Sequence, residues 1–381
     1  MKIAKNTSDV IFLFLIFTMI VGMGTGIALK PQKSFSEREN RSLEVFPEPS
    51  VSSVLSGEFS RQLSSFYSDQ LPLREELGYL YALSELSLGK RECNGVFVCD
   101  RSTLVQLPSK SSREREILKN NLISAKELQQ RRNAVCFWAP RSSDVFEGQM
   151  PQVLHRLSAE ARESADCQLT ARMLDLISEN EDPSEYYYRT DHHWTTKGAY
   201  TAYRLLAREL GYEPYDEDFF RKETVATDFL GTSFSRSSLP KDMTVPDLLT
   251  LYRYDGDDSA VVTDKTTGVA QQGLYERSAL DGYDKYRIFL GGNHAHLSIE
   301  LLPENQETRE KLLIVKDSFA NSLIPFLALH FDLEVIDPRY ATVSQMRELC
   351  EQEEFGRTLV LCSLDTLSTE RTVGRFLDII D

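Results

Sequence analysis

Apolar and polar residues follow two periods along most of this chain, one typical of helices and one typical of buried strands. Residues 113–132 carry apolar side chains three and four positions apart, which predicts an amphipathic helix. Mainly apolar runs at 134–138, 312–315, 333–336 and 358–362 predict buried strands, and helical patterns lie between them. This alternation predicts a three-layer α/β domain in which helices cover both faces of a parallel sheet.

Polar residues follow three of the predicted strands. A run at 287–290 predicts a further strand that leads into Asn293, while Ser318 and Arg339 come just after the runs at 312–315 and 333–336. Open α/β sheets bind ligands beyond the carboxyl ends of their strands. We therefore expect Asn293, Ser318 and Arg339 to lie near a functional site.

The amino-terminal stretch is apolar enough to enter a membrane. Residues 10–29 contain no charged side chain, and Lys2 and Lys5 precede them. This pattern predicts a transmembrane signal anchor that leaves residues 1–9 in the cytoplasm and exports the remainder. The alternative is a signal peptide that is cleaved near the small residues 26–28, which would release a secreted protein.

The exported part divides by pattern into two sections. Residues 30–90 predict a juxtamembrane segment with short helices, and residues 91–381 predict a catalytic domain. Within that domain, residues 212–286 are less regular and predict an insertion at about 212–286.

Charge and cysteine content narrow the possible partners. The net charge of −15 and the pI near 5.0 argue against a nucleic-acid surface, which needs clustered Lys and Arg. Export makes disulfides possible among the six cysteines, for instance between Cys93 and Cys99, whereas buried thiols are the alternative at other positions. His294 and His296 invite a metal interpretation, but we predict no metal site because no acidic or cysteine partner has suitable spacing.

The residues that carry chemistry lie in the stretch from Thr190 to Tyr200, which contains Asp191-His192-His193-Trp194. A serine hydroxyl becomes a good nucleophile when an imidazole takes its proton and a carboxylate holds the other ring nitrogen. Asp191 and His193 are two residues apart, so their side chains can meet in an extended turn. Ser318 is the candidate nucleophile, because it stands where a strand turns into a helix and backbone amides can stabilise an oxyanion.

Each candidate has a structural alternative. Ser318 could cap the following helix, and His192 is better placed as a turn residue than as the base. Arg339 could contact substrate or form a structural ion pair. Trp194 could belong to the core or form a platform for a sugar.

The Asp-His-His-Trp tract is the signature after which the DHHW family of bacterial exported proteins is named. It also resembles the Asp-x-His-Trp motif of the alginate O-acetyltransferases AlgX and AlgJ, which have a permuted SGNH-hydrolase-like, flavodoxin-like fold. The resemblance extends to the tracts Ser36–Arg41 and Asp69–Arg74 and to the turn Lys316–Phe319. It implies that Asp191 orients the base, that His193 is the base and that Ser318 carries the acyl group.

The resemblance also implies a function. We expect serine-dependent transfer of an O-acetyl group to a cell-envelope polysaccharide, or its removal, with no cofactor. Asn293, Arg339 and Trp194 are the candidate oxyanion-stabilising and substrate-binding residues. A membrane-bound O-acyltransferase is the implied acetyl donor. The alternative is a non-catalytic glycan-binding or scaffolding protein of a polysaccharide-modification complex.

Overall fold

The computed structural model describes residues 2–36, 41–100, 102–108, 111–165, 167–180, 182–301, 309–352 and 355–380. Residues 37–40 of the Ser36–Arg41 tract lie outside the described residues. Contacts divide the chain into two compact units, one formed by Met1–Lys90 and Ser238–Pro240 and the other by Arg91–Ser237 and Lys241–Asp381.

The first unit is mainly helical. Its elements are helices α1 (Lys2–Leu29), α2 (Val51–Leu55), α3 (Glu58–Asp69) and α4 (Arg74–Ser87), with the short paired strands β1 (Phe35–Ser36) and β2 (Arg41–Ser42). Within α1, the stretch Thr7–Ile27 is long and apolar enough to cross a membrane. Among the described residues it is the one candidate span, and a signal sequence would have the same character.

The two tracts of the first unit that carry the family resemblance contact each other. Arg41 donates from Nη1 to Asp69 Oδ2 (3.0 Å) and from Nη2 to Asp69 Oδ1 (2.5 Å), and the backbone N–H of Glu44 donates to Oδ2 (2.9 Å). The hydrogen bonds and charge of Arg41 hold the pKa of Asp69 below its usual value, although partial burial opposes them. The ion pair therefore joins β2 to the end of α3.

The second unit is built around a seven-stranded sheet. Its strands are β3 (Glu92–Cys93), β4 (Val96–Val98), β5 (Leu104–Gln106), β6 (Ala134–Ala139), β7 (Arg221–Phe229), β8 (Asp247–Arg253), β9 (Val261–Asp264), β10 (Val269–Gln272), β11 (His296–Glu300), β12 (Lys311–Lys316), β13 (Asp332–Ile336) and β14 (Arg357–Ser363). The central sheet has the order β10-β9-β11-β13-β12-β14-β6. Strands β13, β12, β14 and β6 pair in parallel, whereas β10, β9 and β11 pair antiparallel.

The second unit also contains α-helices, several of which cover the two faces of the central sheet. They are α5 (Ser112–Arg131), α6 (Ser142–Val145), α7 (Gln152–Ala165), α8 (Gln168–Ser178), α9 (Thr196–Leu210), α10 (Thr232–Ser237), α11 (Ile324–Leu327), α12 (Val343–Gln352), α13 (Leu364–Thr369) and α14 (Thr372–Ile380). Short 3₁₀ helices include Lys285–Ile288 and Ser318–Ser322.

Two apolar cores form because consecutive strand residues point to opposite faces. Along β12, Leu312 and Ile314 enter the core shared with α8, α9 and α11, while Leu313 and Val315 enter the core shared with α5, α12 and α14. All four side chains are fully buried. The predicted three-layer α/β fold with a mostly parallel central sheet is confirmed.

The prediction of a strand at 287–290 is wrong. The chain forms a 3₁₀ helix over Lys285–Ile288 instead, and Tyr286, Ile288 and Phe289 join a separate buried cluster beneath β7 and β8. Asn293 nevertheless reaches the expected edge of the sheet. Because β11 runs antiparallel to β13, the residues just before β11 lie where β13 and β12 end.

None of the six cysteines, all of which lie among the described residues, forms a disulfide. Cys136 and Cys362 are buried in the core, and burial raises the pKa of Cys99 to about 12.

Candidate active site

The Asp-His-His-Trp tract forms a tight loop that returns the chain on itself. An antiparallel bridge joins Tyr187 to Trp194 across the loop. The backbone N–H of Tyr188 donates to the carbonyl of His193 (3.2 Å). The loop therefore presents Asp191 and His193 from one small, closed piece of backbone.

Helix α9 begins directly after this loop. The side chain of Thr195 accepts a hydrogen bond from the N–H of Gly198 (3.2 Å), which is an N-terminal cap. Gly198 has no room for a side chain, since an added Cβ would lie 2.2 Å from the carbonyl oxygen of Tyr186. The helix ends at Gly211, whose φ of 68° is left-handed. A capping threonine and a glycine with a left-handed backbone therefore define the two ends of this helix.

Asp191 is buried, and both of its carboxylate oxygens accept hydrogen bonds. Its Oδ1 accepts hydrogen bonds from the backbone N–H of His193 (2.8 Å) and from His193 Nδ1 (2.5 Å), and its Oδ2 accepts one from the N–H of Thr232 (2.6 Å). Burial alone would raise the pKa of Asp191, but the charges of His193 and His192 hold it well below its usual value. The carboxylate is thus ionised and fixed in orientation.

Ser318 follows β12 in a turn that Asp317 holds. One oxygen of Asp317 accepts from the N–H of Phe319 (3.0 Å) and the other from the N–H of Ser363 at the end of β14 (2.7 Å). Burial opposes ionisation of Asp317, but the charge of Arg339 and the Ser363 N–H lower its pKa. Asp317 therefore holds its own turn and ties that turn to the end of β14.

The structure brings Asp191, His193 and Ser318 together. The second ring nitrogen of His193, Nε2, lies 2.7 Å from Ser318 Oγ. Tyr286 stacks on one face of the imidazole, with ring centroids 4.1 Å apart and planes 8° apart, and His192 covers the other face at 3.8 Å. Among the described residues, the backbone N–H of Ser318 makes no hydrogen bond.

Trp194 belongs to the core rather than to a sugar-binding surface, because its side chain is fully buried. Its indole Nε1 donates to the carbonyl of Phe319 (3.0 Å) and to Ser322 Oγ (2.9 Å). The indole therefore ties the loop that carries His193 to the turn that carries Ser318.

Asn293 is exposed and belongs to a polar cluster beside Ser318's turn. Its Oδ1 accepts from Asn321 Nδ2 (3.2 Å) and from Lys316 Nζ (3.4 Å). Lys316 also donates to Asn321 Oδ1 (2.7 Å). Burial lowers the pKa of Lys316, and the nearby carboxylate of Asp337 opposes that effect.

Arg339 makes a structural ion pair. Its Nε and Nη2 donate to the two oxygens of the fully buried Asp337 at 2.8 and 2.6 Å. A bidentate pair of this kind holds the guanidinium in place. Of the two interpretations of Arg339, the contacts favour the ion pair, and the side chain keeps 20% of its surface exposed.

Carboxylates do lie close to His294 and His296, although they are too far away in the sequence for their spacing to indicate these contacts. His294 Nδ1 lies 2.9 Å from Asp264 Oδ2, and His296 Nε2 lies 2.6 Å from Glu334 Oε2. These are two separate histidine–carboxylate pairs. Asp191, His192 and His193 also place potential metal-ligand atoms within 4.8 Å of one another. The Asp191–His193 hydrogen bond already uses two of those groups.

Three contributors to the site are not evident in the sequence. Tyr286 stacks on His193 from a 3₁₀ helix, and Thr232 donates to Asp191 from the start of α10. Gly231 lets that segment approach, since an added Cβ would lie 2.2 Å from Asp191 Oδ2. In each contact the two residues are dozens of positions apart in the sequence, and no local sequence pattern indicates that they meet.

The chain belongs to the DHHW family, because the model of that family, described as DHHW protein, matches residues 139–336, just over half of its length. Comparison with curated proteins found no match.

Solved structures share the fold. A DHHW family protein from Eubacterium siraeum aligns with a TM-score of 0.59 and 20% identity over 76% of this chain and 97% of that one. Bacillus cereus PatB1 with a sulfonyl adduct aligns with a TM-score of 0.56 and 17% identity over 73% of this chain and 98% of that one. At such identities the likeness concerns the fold, and the predicted SGNH-hydrolase-like fold is confirmed.

Proposed function

We propose that this DHHW-family chain is an extracytoplasmic enzyme that transfers an O-acetyl group to a cell-envelope polysaccharide, or removes it, through an acyl-enzyme on Ser318. The observation that supports this proposal is the continuous hydrogen-bonded series from Asp191 through His193 to Ser318 Oγ, at 2.5 and 2.7 Å. A Ser-His-Asp catalytic triad performs acyl transfer with these three groups in this order.

The first half of the reaction loads the acyl group. Ser318 Oγ attacks the carbonyl carbon of the acetyl donor while its proton passes to His193 Nε2. Asp191 holds Nδ1–H and stabilises the resulting imidazolium, whose flat face lies against Tyr286. When the tetrahedral intermediate collapses, the bond to the donor oxygen breaks and that oxygen takes the proton from His193.

The second half of the reaction transfers the acetyl group from Ser318 to the acceptor. An acceptor hydroxyl gives its proton to His193 Nε2 and attacks the acetyl carbon on Ser318. The bond from that carbon to Ser318 Oγ breaks, and Oγ recovers the proton. If water replaces the acceptor, the same steps make the protein an acetylesterase. Neither half requires a metal or a diffusible cofactor.

Two groups are suited to stabilise the oxyanion. The N–H of Ser318 makes no hydrogen bond among the described residues and lies beside the reacting oxygen. Asn293 is the second candidate, because Lys316 and Asn321 hold its Oδ1 and leave its amide nitrogen to donate. Arg339 lies at the same sheet edge, where its remaining exposed surface can contact substrate.

The apolar helix α1 favours attachment to the membrane with the second unit outside the cytoplasm. This placement suits a polysaccharide acceptor in the envelope. It also suits an acetyl donor supplied by a membrane-bound O-acyltransferase, the partner that the family resemblance implies.

The test is covalent labelling of the full-length chain in detergent. Because the similar PatB1 structure carries a sulfonyl adduct, we would use a sulfonyl fluoride and, separately, p-nitrophenyl acetate, and map the added mass by mass spectrometry. We expect both labels on Ser318, and loss of both in Ser318→Ala and His193→Ala. The exposed Ser344→Ala variant serves as a control and should label normally.

Failure of both reagents to label the wild-type chain would contradict the enzymatic proposal. That result would leave the non-catalytic glycan-binding or scaffolding role as the interpretation of the fold. Labelling at another residue would contradict the assignment of Ser318.

A further inference from the structure

We infer that His192 selects acceptors in which the attacking hydroxyl has a second hydroxyl on the adjacent carbon, and that its Nε2 accepts a hydrogen bond from this second hydroxyl. The inference rests on the proposed acyl transfer and names the class of acceptor, a vicinal diol.

The two histidines present their Nε2 atoms on the same side. His193 Nδ1 and His192 Nδ1 both face Asp191 Oδ1, at 2.5 and 3.5 Å. The rings lie 3.8 Å apart with a tilt of 39°. In an imidazole ring Nε2 is separated from Nδ1 by Cε1, and the two nitrogens point in widely divergent directions. Both Nε2 atoms therefore face away from Asp191, and Nε2 of His193 contacts Ser318 Oγ on that side.

The protonation state of His192 makes its Nε2 an acceptor. Burial lowers the pKa of His192 to about 4, and the charge of His193 acts in the same direction, while Asp191 opposes both. The ring is therefore neutral at pH 7 and carries one proton. Its Nδ1 is buried and faces a carboxylate oxygen, which places the proton on Nδ1 and leaves a lone pair on Nε2.

This lone pair is available to a ligand. The side chain of His192 keeps 27% of its surface exposed although its Nδ1 is buried. Among the described residues, Nε2 of His192 makes no hydrogen bond. Phe319 packs edge-on against the ring, with centroids 5.9 Å apart, and limits its reorientation.

The arrangement matches the geometry of a diol. The attacking hydroxyl must lie near His193 Nε2, which takes its proton. A hydroxyl on the adjacent carbon then lies beside it, within reach of the second nitrogen one ring spacing away. Water or a simple alcohol makes only the first of these contacts, so the acyl group passes preferentially to a diol.

The experiment lets two acceptors compete for one acyl-enzyme. The full-length chain in detergent is acetylated by p-nitrophenyl acetate in an equal mixture of 1,2- and 1,3-cyclohexanediol, and the two monoacetates are separated by gas chromatography. Their ratio is independent of the acylation rate because both acceptors consume the same intermediate. We expect wild type to favour the 1,2-diol about three- to tenfold, the range that one hydrogen bond contributes.

The variants separate the nitrogen of His192 from its bulk. His192→Phe keeps an aromatic ring on His193 but removes the acceptor, and the ratio should fall to about one. His192→Gln restores an acceptor oxygen and should recover part of the preference. His330→Phe, a histidine in a separate aromatic cluster, serves as the control and should retain the wild-type ratio.

Several outcomes would overturn the inference. It fails if wild type shows acylation but no diol preference, or if His192→Phe retains that preference. Loss of the acyl-enzyme in both His192 variants would show that His192 acts by shaping the triad instead. If wild type forms no acyl-enzyme at all, the proposed function itself fails, and the inference with it.

Discussion

Replacing Gly231 by alanine tests how tightly Asp191 is held. An alanine Cβ would lie 2.2 Å from Asp191 Oδ2, 2.3 Å from its Cβ and 2.6 Å from its Cγ. Ordinary contact begins near 3.4 Å, so the carboxylate or the Gly231 segment must move by more than 1 Å. Such a shift exceeds what the hydrogen bonds of 2.5 Å to His193 and 2.6 Å to Thr232 can absorb.

The magnitudes follow from this displacement. Overpacking of a buried site costs about 1–3 kcal/mol in the free energy of unfolding. Misplacement of a catalytic group by ~1 Å costs about 10²-fold in rate. We therefore expect Gly231→Ala to slow acetylation of Ser318 by about 10²-fold and to lower the urea midpoint.

Stopped-flow release of p-nitrophenol measures the acylation rate, and tryptophan fluorescence in urea measures stability. Gly148→Ala is the control, since nothing lies within 4 Å of its added Cβ, and both quantities should remain close to wild type. An acylation rate in Gly231→Ala within threefold of wild type would refute the reasoning, because it would show that the Asp191 carboxylate does not require this packing.

Three further changes test other contacts. Trp194→Phe removes the indole donor and should cost about 1–3 kcal/mol in unfolding free energy and slow acylation, whereas Trp138→Phe should leave acylation unchanged. Asp317→Asn should cost about 1–3 kcal/mol, because both carboxylate oxygens accept from backbone N–H groups and an amide can serve only one; normal stability would contradict this. Burial raises the pKa of Asp144 to about 6, so its protonated form stabilises the folded state below pH 4, and about 2–3 kcal/mol is lost as the pH rises through 6. In Asp144→Asn the urea midpoint should change less between pH 4 and 7 than in wild type. An unchanged pH dependence of the midpoint would show that Asp144 is not its source.

Much of the sheet could be predicted because its signal is local. The mainly apolar runs at 312–315, 333–336 and 358–362 each lie inside an observed strand. Such runs mark strands buried on both faces, and neighbouring helices are distinguished by their period. The signals for the two ends of α9 are also local, because Thr195 caps its first turn and Gly211 ends it.

The strand prediction at 287–290 failed because tertiary packing determines the backbone conformation there. The run at 287–290 has the composition of a strand, yet it forms a 3₁₀ turn that places Tyr286 on His193. A strand there would point alternate side chains to opposite faces. The observed turn instead lets consecutive apolar residues enter one buried cluster.

The pairing of Asp191 with His193 could be predicted from their spacing, but their pairing with Ser318 could not. Residues 193 and 318 are far apart in the chain, and periodicity carries no information on such contacts. The family resemblance supplied the serine, and the strand-end position made it plausible. Gly231 and Thr232 belong to no motif and follow no predicted strand, so their contacts with Asp191 could not be predicted.

The four residues of the Asp-His-His-Trp tract have different roles in one loop, and this accounts for their being consecutive. Asp191 accepts from His193, and His192 covers the face of His193 that Tyr286 leaves open. Two adjacent contacts then join the loop to the turn after β12: His193 meets Ser318, and the indole of Trp194 meets the carbonyl of the next residue, at 2.7 and 3.0 Å. A single contact would allow the loop to pivot about Ser318. Two contacts between neighbouring pairs of residues fix both its position and its direction, so the buried tryptophan positions the imidazole as directly as the carboxylate does.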